Sequence, residues 1–259
     1  VSQREGLWLH VDGAFGALAA LSPTLKKLTS GMERADSLAF DLHKWMYLPY
    51  EVGGVLVRDS EAHRNTFAVS ADYLSLTEGG IAGDRSWFSE YGLQLSRGFR
   101  ALKVWMALKE HGVEKFGRVI EQNVDQARYL ARLVEESPDL ELLAPVTLNV
   151  VCFRFKGPTY CRDDELNELN SDLLIKLQES GVAAPSHTVI GGKFALRVAN
   201  TNHRTRKDDF FVMVREVERL GRELVNTHPT VFCATEKTAS SWDNWKPPGR
   251  GAVGVKGLR

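Results

Sequence analysis

Cysteine is scarce, with three in 259 residues (Cys152, Cys161 and Cys233), and no two of them form a C-x-x-C pair or a regular framework. That spacing argues against a disulfide scaffold and leads us to expect a reducing, cytoplasmic setting. No apolar stretch approaches the roughly 20 residues of a membrane helix, and the residues present show no signal-peptide pattern, so no membrane partner is expected. An excess of one charge is also missing. The 33 basic and 33 acidic side chains cancel, leaving no global field to draw in nucleic acid or an anionic membrane. Internal repeats are absent. A metal reading of His10, Asp12 and His43 lacks a completing cluster, so no metal site is expected.

The chain is 43% hydrophobic and 25% charged, ordinary for a soluble globular protein with one or two cores. Chemistry concentrates between His10 and Trp45. Leu7-Trp8-Leu9-His10-Val11 is a short apolar run suited to a buried strand, which puts Asp12 at its carboxyl end with Gly13, Ala14 and Gly16 behind it. Ligands bind at that edge of an open α/β sheet, and small residues there admit a flat ligand or a neighbouring backbone. Ser37-Leu38-Ala39-Phe40 repeats the arrangement and ends on Asp41, His43 and Lys44. An acid and an amine thus emerge from two strand ends. Pyridoxal phosphate chemistry wants this pair: a lysine forms a Schiff base with the aldehyde, and a carboxylate keeps the pyridine nitrogen protonated. An imidazole beside the lysine can stack on the ring or handle protons near neutral pH. Taken singly, each motif also reads as a turn aspartate or a solvated lysine.

H-V-D-G-A-F-G followed by A-D-S-L-A-F-D-L-H-K-W resembles the core of the group II pyridoxal-phosphate-dependent amino acid decarboxylases, which include the aromatic amino acid, histidine and glutamate decarboxylases. The resemblance continues through Arg97-Gly-Phe-Arg-Ala-Leu-Lys-Val-Trp105, Val150-Val-Cys-Phe-Arg154 and Phe194-Ala-Leu-Arg197. It implies an α/β fold of the fold type I class, with part of a large cofactor domain and a smaller carboxyl-terminal α/β domain. It also implies Lys44 as the Schiff-base lysine, Asp12 as the partner of the pyridine nitrogen, Ala14 as a contact under the ring, and His43 and Asp41 near the ring or phosphate. Many members carry Asn where Asp41 stands. A carboxylate beside a phosphate is repulsive unless protonated or bridged, which argues against direct phosphate contact from Asp41. The activity implied is decarboxylation of an L-amino acid, aromatic favoured, by a protein that is a homodimer when full length. The family places further cofactor-binding sequence ahead of the first motif, so the chain is expected to be the carboxyl-terminal portion of a longer enzyme.

Residues 70–92 hold Gly79, Gly80, Gly83 and Gly92 and suit a lid that excludes water. Counting back from Arg97, Phe88 falls where many members have a proton-donating tyrosine. Phenylalanine cannot donate a proton, which opens an aldehyde-forming or transaminating alternative, whereas a loop gap would put Tyr91 in the donor role. A non-catalytic folding or dimerisation module is the alternative from outside enzymology. Elsewhere, Ala17 to Leu28 reads as a helix interrupted at Pro23, Gly53 to Arg58 as a strand, and Arg97 to His111 as a helix stopped by Gly112. A longer amphipathic helix runs from Val113 to Val134. The domains expected are 1–112, 113–227 and a flexible tail, 228–259, with Trp242 and Trp245. The second domain reads strand, strand, helix, strand, helix, giving a sheet covered on one side. Arg197 interrupts its last strand and is a candidate for the substrate carboxylate, or else a structural ion pair.

Overall fold

The computed structural model describes residues 1–68, 87–157 and 162–227, so Cys161, Cys233, the centre of the expected lid and the expected tail lie outside the described residues. The chain divides into two compact units, 1–123 with 201–203, and 124–200 with the residues from 204 onward. The division falls inside the helix Val113–Glu136.

The first unit is built on a three-stranded sheet, β1 (His10–Asp12), β2 (Ser37–Asp41) and β3 (Gly53–Val57), in that order. β1 and β2 are parallel with Asp12 opposite Ala39; β2 and β3 are antiparallel with Asp41 opposite Gly53. Short helices α1 (Ser2–Glu5) and α2 (Leu42–Trp45) flank these strands, and α3 (Ser60–Phe67) and α4 (Arg100–His111) follow. α5 (Val113–Glu136) begins in this unit. The helix expected over Ala17 to Leu28 is instead two separate 3₁₀ turns, Ala17–Leu21 and Lys26–Thr29. Pro23 explains the break: the residue before a proline is pushed out of the helical region, and Ser22 is extended at φ −94°, ψ 126°. The strand ends approach closely at Gly13, whose N–H donates to Ala39 O at 2.8 Å. A Cβ on Gly13 would lie 2.5 Å from Ala17 Cβ and 2.8 Å from Ala39 O. Among the described residues β1 pairs with β2 alone, α4 buries none of its residues, and Leu56, Trp105 and Met106 stay exposed.

The second unit holds an antiparallel sheet in the order β4 (Leu140–Leu142), β5 (Val150–Phe155), β7 (Lys193–Ala199), β6 (Ser186–Ile190). The rest of α5, α6 (Asp163–Glu179) and α7 (Lys207–Thr227) complete it. Val151, Phe153, Phe155 and Leu196 from the strands join Leu130, Val134, Leu173, Leu177, Val217 and Leu224 from the helices in one core. β6 escapes the pattern reading because Ser-His-Thr-Val-Ile is largely exposed and has no apolar run. The signal that betrays it is Gly191-Gly192, both at positive φ, a hairpin turn of the kind glycine pairs favour. Cys152 is buried in β5, as its apolar setting suggests, and burial pushes its thiol up.

Arg154, 3% exposed, donates from Nε to Glu141 Oε2 at 2.7 Å and pairs with Asp163 at 2.8 Å, while Lys193 donates to Glu141 Oε1 at 2.9 Å. Burial alone would raise the Glu141 carboxyl, but hydrogen bonds from Lys193 and Arg154 outweigh it and hold the group below the ordinary glutamate value. A depressed folded-state value contributes stability above the ordinary glutamate range that is lost as pH falls through the folded value. The thermal midpoint of the chain should therefore fall on acidification through and below that range. Glu141→Gln should be less stable at neutral pH, by roughly 1.5–3 kcal/mol as for hydrogen bonds to charged groups, with a flatter acid limb in pH-dependent melting curves. Gly13→Ala should force β1 and β2 apart at their functional ends. Overpacking of this kind costs about 1–3 kcal/mol, and calorimetry would register a lowered midpoint.

Candidate active site

The Lys44 loop is tied down from beneath. Trp45 is fully buried, and its Nε1 donates to Asn123 Oδ1 at 3.1 Å; Tyr47 Oη donates to the same oxygen at 2.7 Å. Asn123 Nδ2 in turn donates to Asn202 O at 3.1 Å, which draws residues 201–203 into the first unit. Tyr47 occupies the left-handed region at φ 57°, unusual for a non-glycine residue. Burial pushes its phenol well above the ordinary tyrosine value. The far side of the loop is braced by α4. Arg100 donates from Nε to Glu51 Oε1 at 2.9 Å, and Lys103 Nζ donates to the carbonyls of Pro49 and Glu51 at 3.2 and 3.3 Å. The Arg100 hydrogen bond is the main reason the Glu51 carboxyl lies below its ordinary value.

On this platform Lys44 points into a charged and aromatic setting. Its Nζ is 2.7 Å from Asp41 Oδ2 and lies over the Phe15 ring, 4.9 Å from the centroid. The contact with Phe15 joins the two sequence motifs, since Phe15 belongs to the H-V-D-G-A-F-G segment. Asp41 occupies the position before α2 where aspartate usually caps backbone N–H groups, yet it makes no side-chain cap bond. Its other oxygen, Oδ1, lies where a Cβ on Gly53 would come within 3.0 Å. Beside the lysine, His43 Nδ1 faces both Val52 O at 2.9 Å and Val52 N at 3.1 Å, and its ring meets Tyr50 at 4.5 Å. Those contacts fix the imidazole and leave Nε2 as the nitrogen available to a ligand.

Asp12 ends β1 with an exposed carboxylate. Its Oδ1 accepts from Ala14 N at 3.1 Å, which holds the side chain and presents Oδ2 outward. The start of the strand is fixed separately: Leu9 N donates to Asp36 Oδ2 at 2.7 Å, and Trp8 Nε1 and His10 Nδ1 meet Ser37 Oγ at 2.8 and 2.7 Å. The donor set suits pyridoxal phosphate: an amine for the aldehyde, a carboxylate for the ring nitrogen on the adjacent strand, and the small Gly13 and Ala14 directly after that carboxylate, ahead of Phe15.

The structure gathers Asp12, Ala14, Asp41, His43 and Lys44 at the carboxyl ends of β1 and β2. It does not bring Tyr91 there. Tyr91 lies in a 3₁₀ turn, Phe88–Tyr91, packs edge-on against His63 at 5.2 Å, and lines a cavity of about 350 Å³ with Trp8, Ser37, Val57 and Phe67. Ser37 starts β2 and Asp41 ends it, a separation of roughly 13 Å at the usual strand rise. Arg64 holds that turn, donating to both carboxylate oxygens of Glu90 at 2.8 and 2.9 Å, while the Phe88 ring stays exposed. Arg197 belongs to the second unit, where its Nη1 donates to Ser186 Oγ at 3.2 Å. Phe15, Asn123 and Gly53 were missed from the sequence. Phe15 could have been flagged as the one aromatic within the small-residue run after Asp12; Asn123 carries no signal, because a polar residue on an amphipathic helix reads as solvated.

Comparison with known proteins agrees with this donor set. Residues 1–156 match the family model described as the pyridoxal-dependent decarboxylase conserved domain. An aromatic-L-amino-acid decarboxylase of Bacillus atrophaeus is 34% identical over 227 residues, covering 88% of this chain and 47% of the relative. A histidine decarboxylase of Rattus norvegicus is 33% identical over 248 residues, covering 96% of this chain and 36% of the relative. The crystal structure of Oryza sativa TDC with PLP and tryptamine superposes with a TM-score of 0.78 at 26% identity, covering 86% of this chain and 46% of that one. The chain thus spans about half, or less, of the length of the relatives it matches. With the lysine and aspartate motifs inside the matched region and set at neighbouring strand ends, the chain belongs to the pyridoxal-dependent decarboxylase family.

Proposed function

We propose that this chain carries the lysine and acid side of the active site of a pyridoxal-phosphate-dependent amino acid decarboxylase, with an aromatic L-amino acid as the favoured substrate. The observation that carries the reading is the Lys44 ammonium held by Asp41 at 2.7 Å and Phe15 at 4.9 Å, on the strand end beside Asp12. The relatives named for aromatic amino acids and histidine support the substrate class.

When bound, the cofactor supplies a protonated ring that takes up the electron pair left as the substrate carboxylate departs. The residues of this chain do the rest. Lys44 Nζ would hold the cofactor through its aldehyde. Asp12 Oδ2 keeps a proton on the ring nitrogen, and the Ala14 N–H on Oδ1 orients it. His43 Nε2 hydrogen-bonds at the ring or phosphate while Nδ1 stays on Val52. Arg197, a planar donor fork, is the residue proposed for the substrate carboxylate. The exposed Leu56, Trp105 and Met106 support burial of the first unit against a second subunit in the working enzyme, a homodimer in this proposal.

The test is covalent capture. Incubation of the chain with pyridoxal 5′-phosphate, borohydride reduction and peptide mass spectrometry should place the added mass on Lys44, and Lys44→Ala should abolish it. Adduct spread over surface lysines, and unchanged by Lys44→Ala, would sink the proposal.

A further inference from the structure

We infer that Asp41 is a catalytic residue of its own kind: the proton acceptor that turns the Lys44 ammonium into the nucleophile that captures the cofactor aldehyde. The inference rests on the proposed role of Lys44 and adds the step that precedes it. A protonated amine has no lone pair to offer, so a lysine that must attack a carbonyl needs somewhere to leave a proton. Among the described residues, Asp41 Oδ2 is the carboxylate in ion-pair contact with Nζ, at 2.7 Å. That is hydrogen-bond reach for direct transfer. The opposite contact of Nζ is the Phe15 ring, which accepts no proton. The His43 ring, one residue away, makes its contacts with Val52 and Tyr50.

Two features of the local fold turn Asp41 toward the lysine. It stands at the cap position of α2 yet makes no cap bond; its carboxylate is turned to the lysine although the backbone N–H groups are the usual partners of an aspartate there. Gly53, opposite in the β2–β3 register, leaves the room that Oδ1 occupies, since a Cβ would come within 3.0 Å of it. An asparagine would fit the same space and could hydrogen-bond Nζ, but it cannot take the proton.

The step balances. One proton passes from Lys44 Nζ to Asp41 Oδ2, leaving a neutral amine and a carboxylic acid. The amine lone pair attacks the aldehyde carbon of a pyridoxal-type aldehyde, a C=N bond forms, and the aldehyde oxygen leaves as water with the two remaining amine protons. No oxidant or reductant takes part.

The experiment follows the rate of borohydride-trapped Lys44 adduct, by peptide mass spectrometry, in the full chain mixed with pyridoxal 5′-phosphate. Asp41→Asn should slow capture by about 10²-fold, the lower end of a general base's contribution. Asp41→Ala should be slow as well and be accelerated by added acetate, a comparison within one preparation that folding differences do not affect. Capture by Asp41→Asn at or above the wild-type rate, or an Asp41→Ala rate indifferent to acetate, overturns the inference and leaves Lys44 as the attachment point. Absence of a Lys44 adduct in the wild-type chain overturns both readings.

Discussion

The lysine loop rests on the side chain of Asn123, a fully buried carboxamide. Its oxygen takes hydrogen bonds from Trp45 and Tyr47 on either side of the loop, and its nitrogen reaches Asn202. A buried amide without those partners would be costly, so the three contacts are mutually enforcing: the loop satisfies Asn123, and Asn123 leaves the loop one place to sit. Lys44 immediately precedes Trp45, so the position of its amine follows from the burial of the indole. The direction of the Lys44 side chain is thus set by an interior polar contact more than by the short helix that carries it.

Around that support, the site consists of ions kept in contact yet open to exchange. Lys44 and Asp41 retain about a third and a quarter of their side-chain exposure, so water competes for both. The ion pairs of Arg154 differ on the cationic side: its guanidinium is nearly sealed, while its partners Glu141 and Asp163 keep about a third and more than half of their side-chain exposure.

Much of the first unit was legible in the sequence because its chemistry is local. β2 forms where its apolar run predicts, ending on Asp41 shortly before Lys44, whereas the Leu7–Val11 run read as a buried strand yields only His10–Asp12, with Leu7 and Trp8 left exposed. The long helix from Val113 and the strand around Cys152 followed from periodicity. What the sequence hid was set by distant partners. Ser-His-Thr-Val-Ile forms β6 through pairing with β7, with few apolar residues to announce it. The break at Ser22 depends on proline stereochemistry within an otherwise helical pattern. Tyr91 follows α3 through the Arg64–Glu90 pair, which no spacing rule connects, and so sits at the end of the sheet away from Lys44.

The two units differ in how completely they close. The second surrounds its strand residues with three helices, whereas β1 keeps its outer edge without a strand partner among the described residues and α4 buries no side chain. An edge strand beside an exposed tryptophan is a template for any other extended chain. The edge open to such pairing is the one that ends on the exposed Asp12 carboxylate, so any association through it would rise with protein concentration.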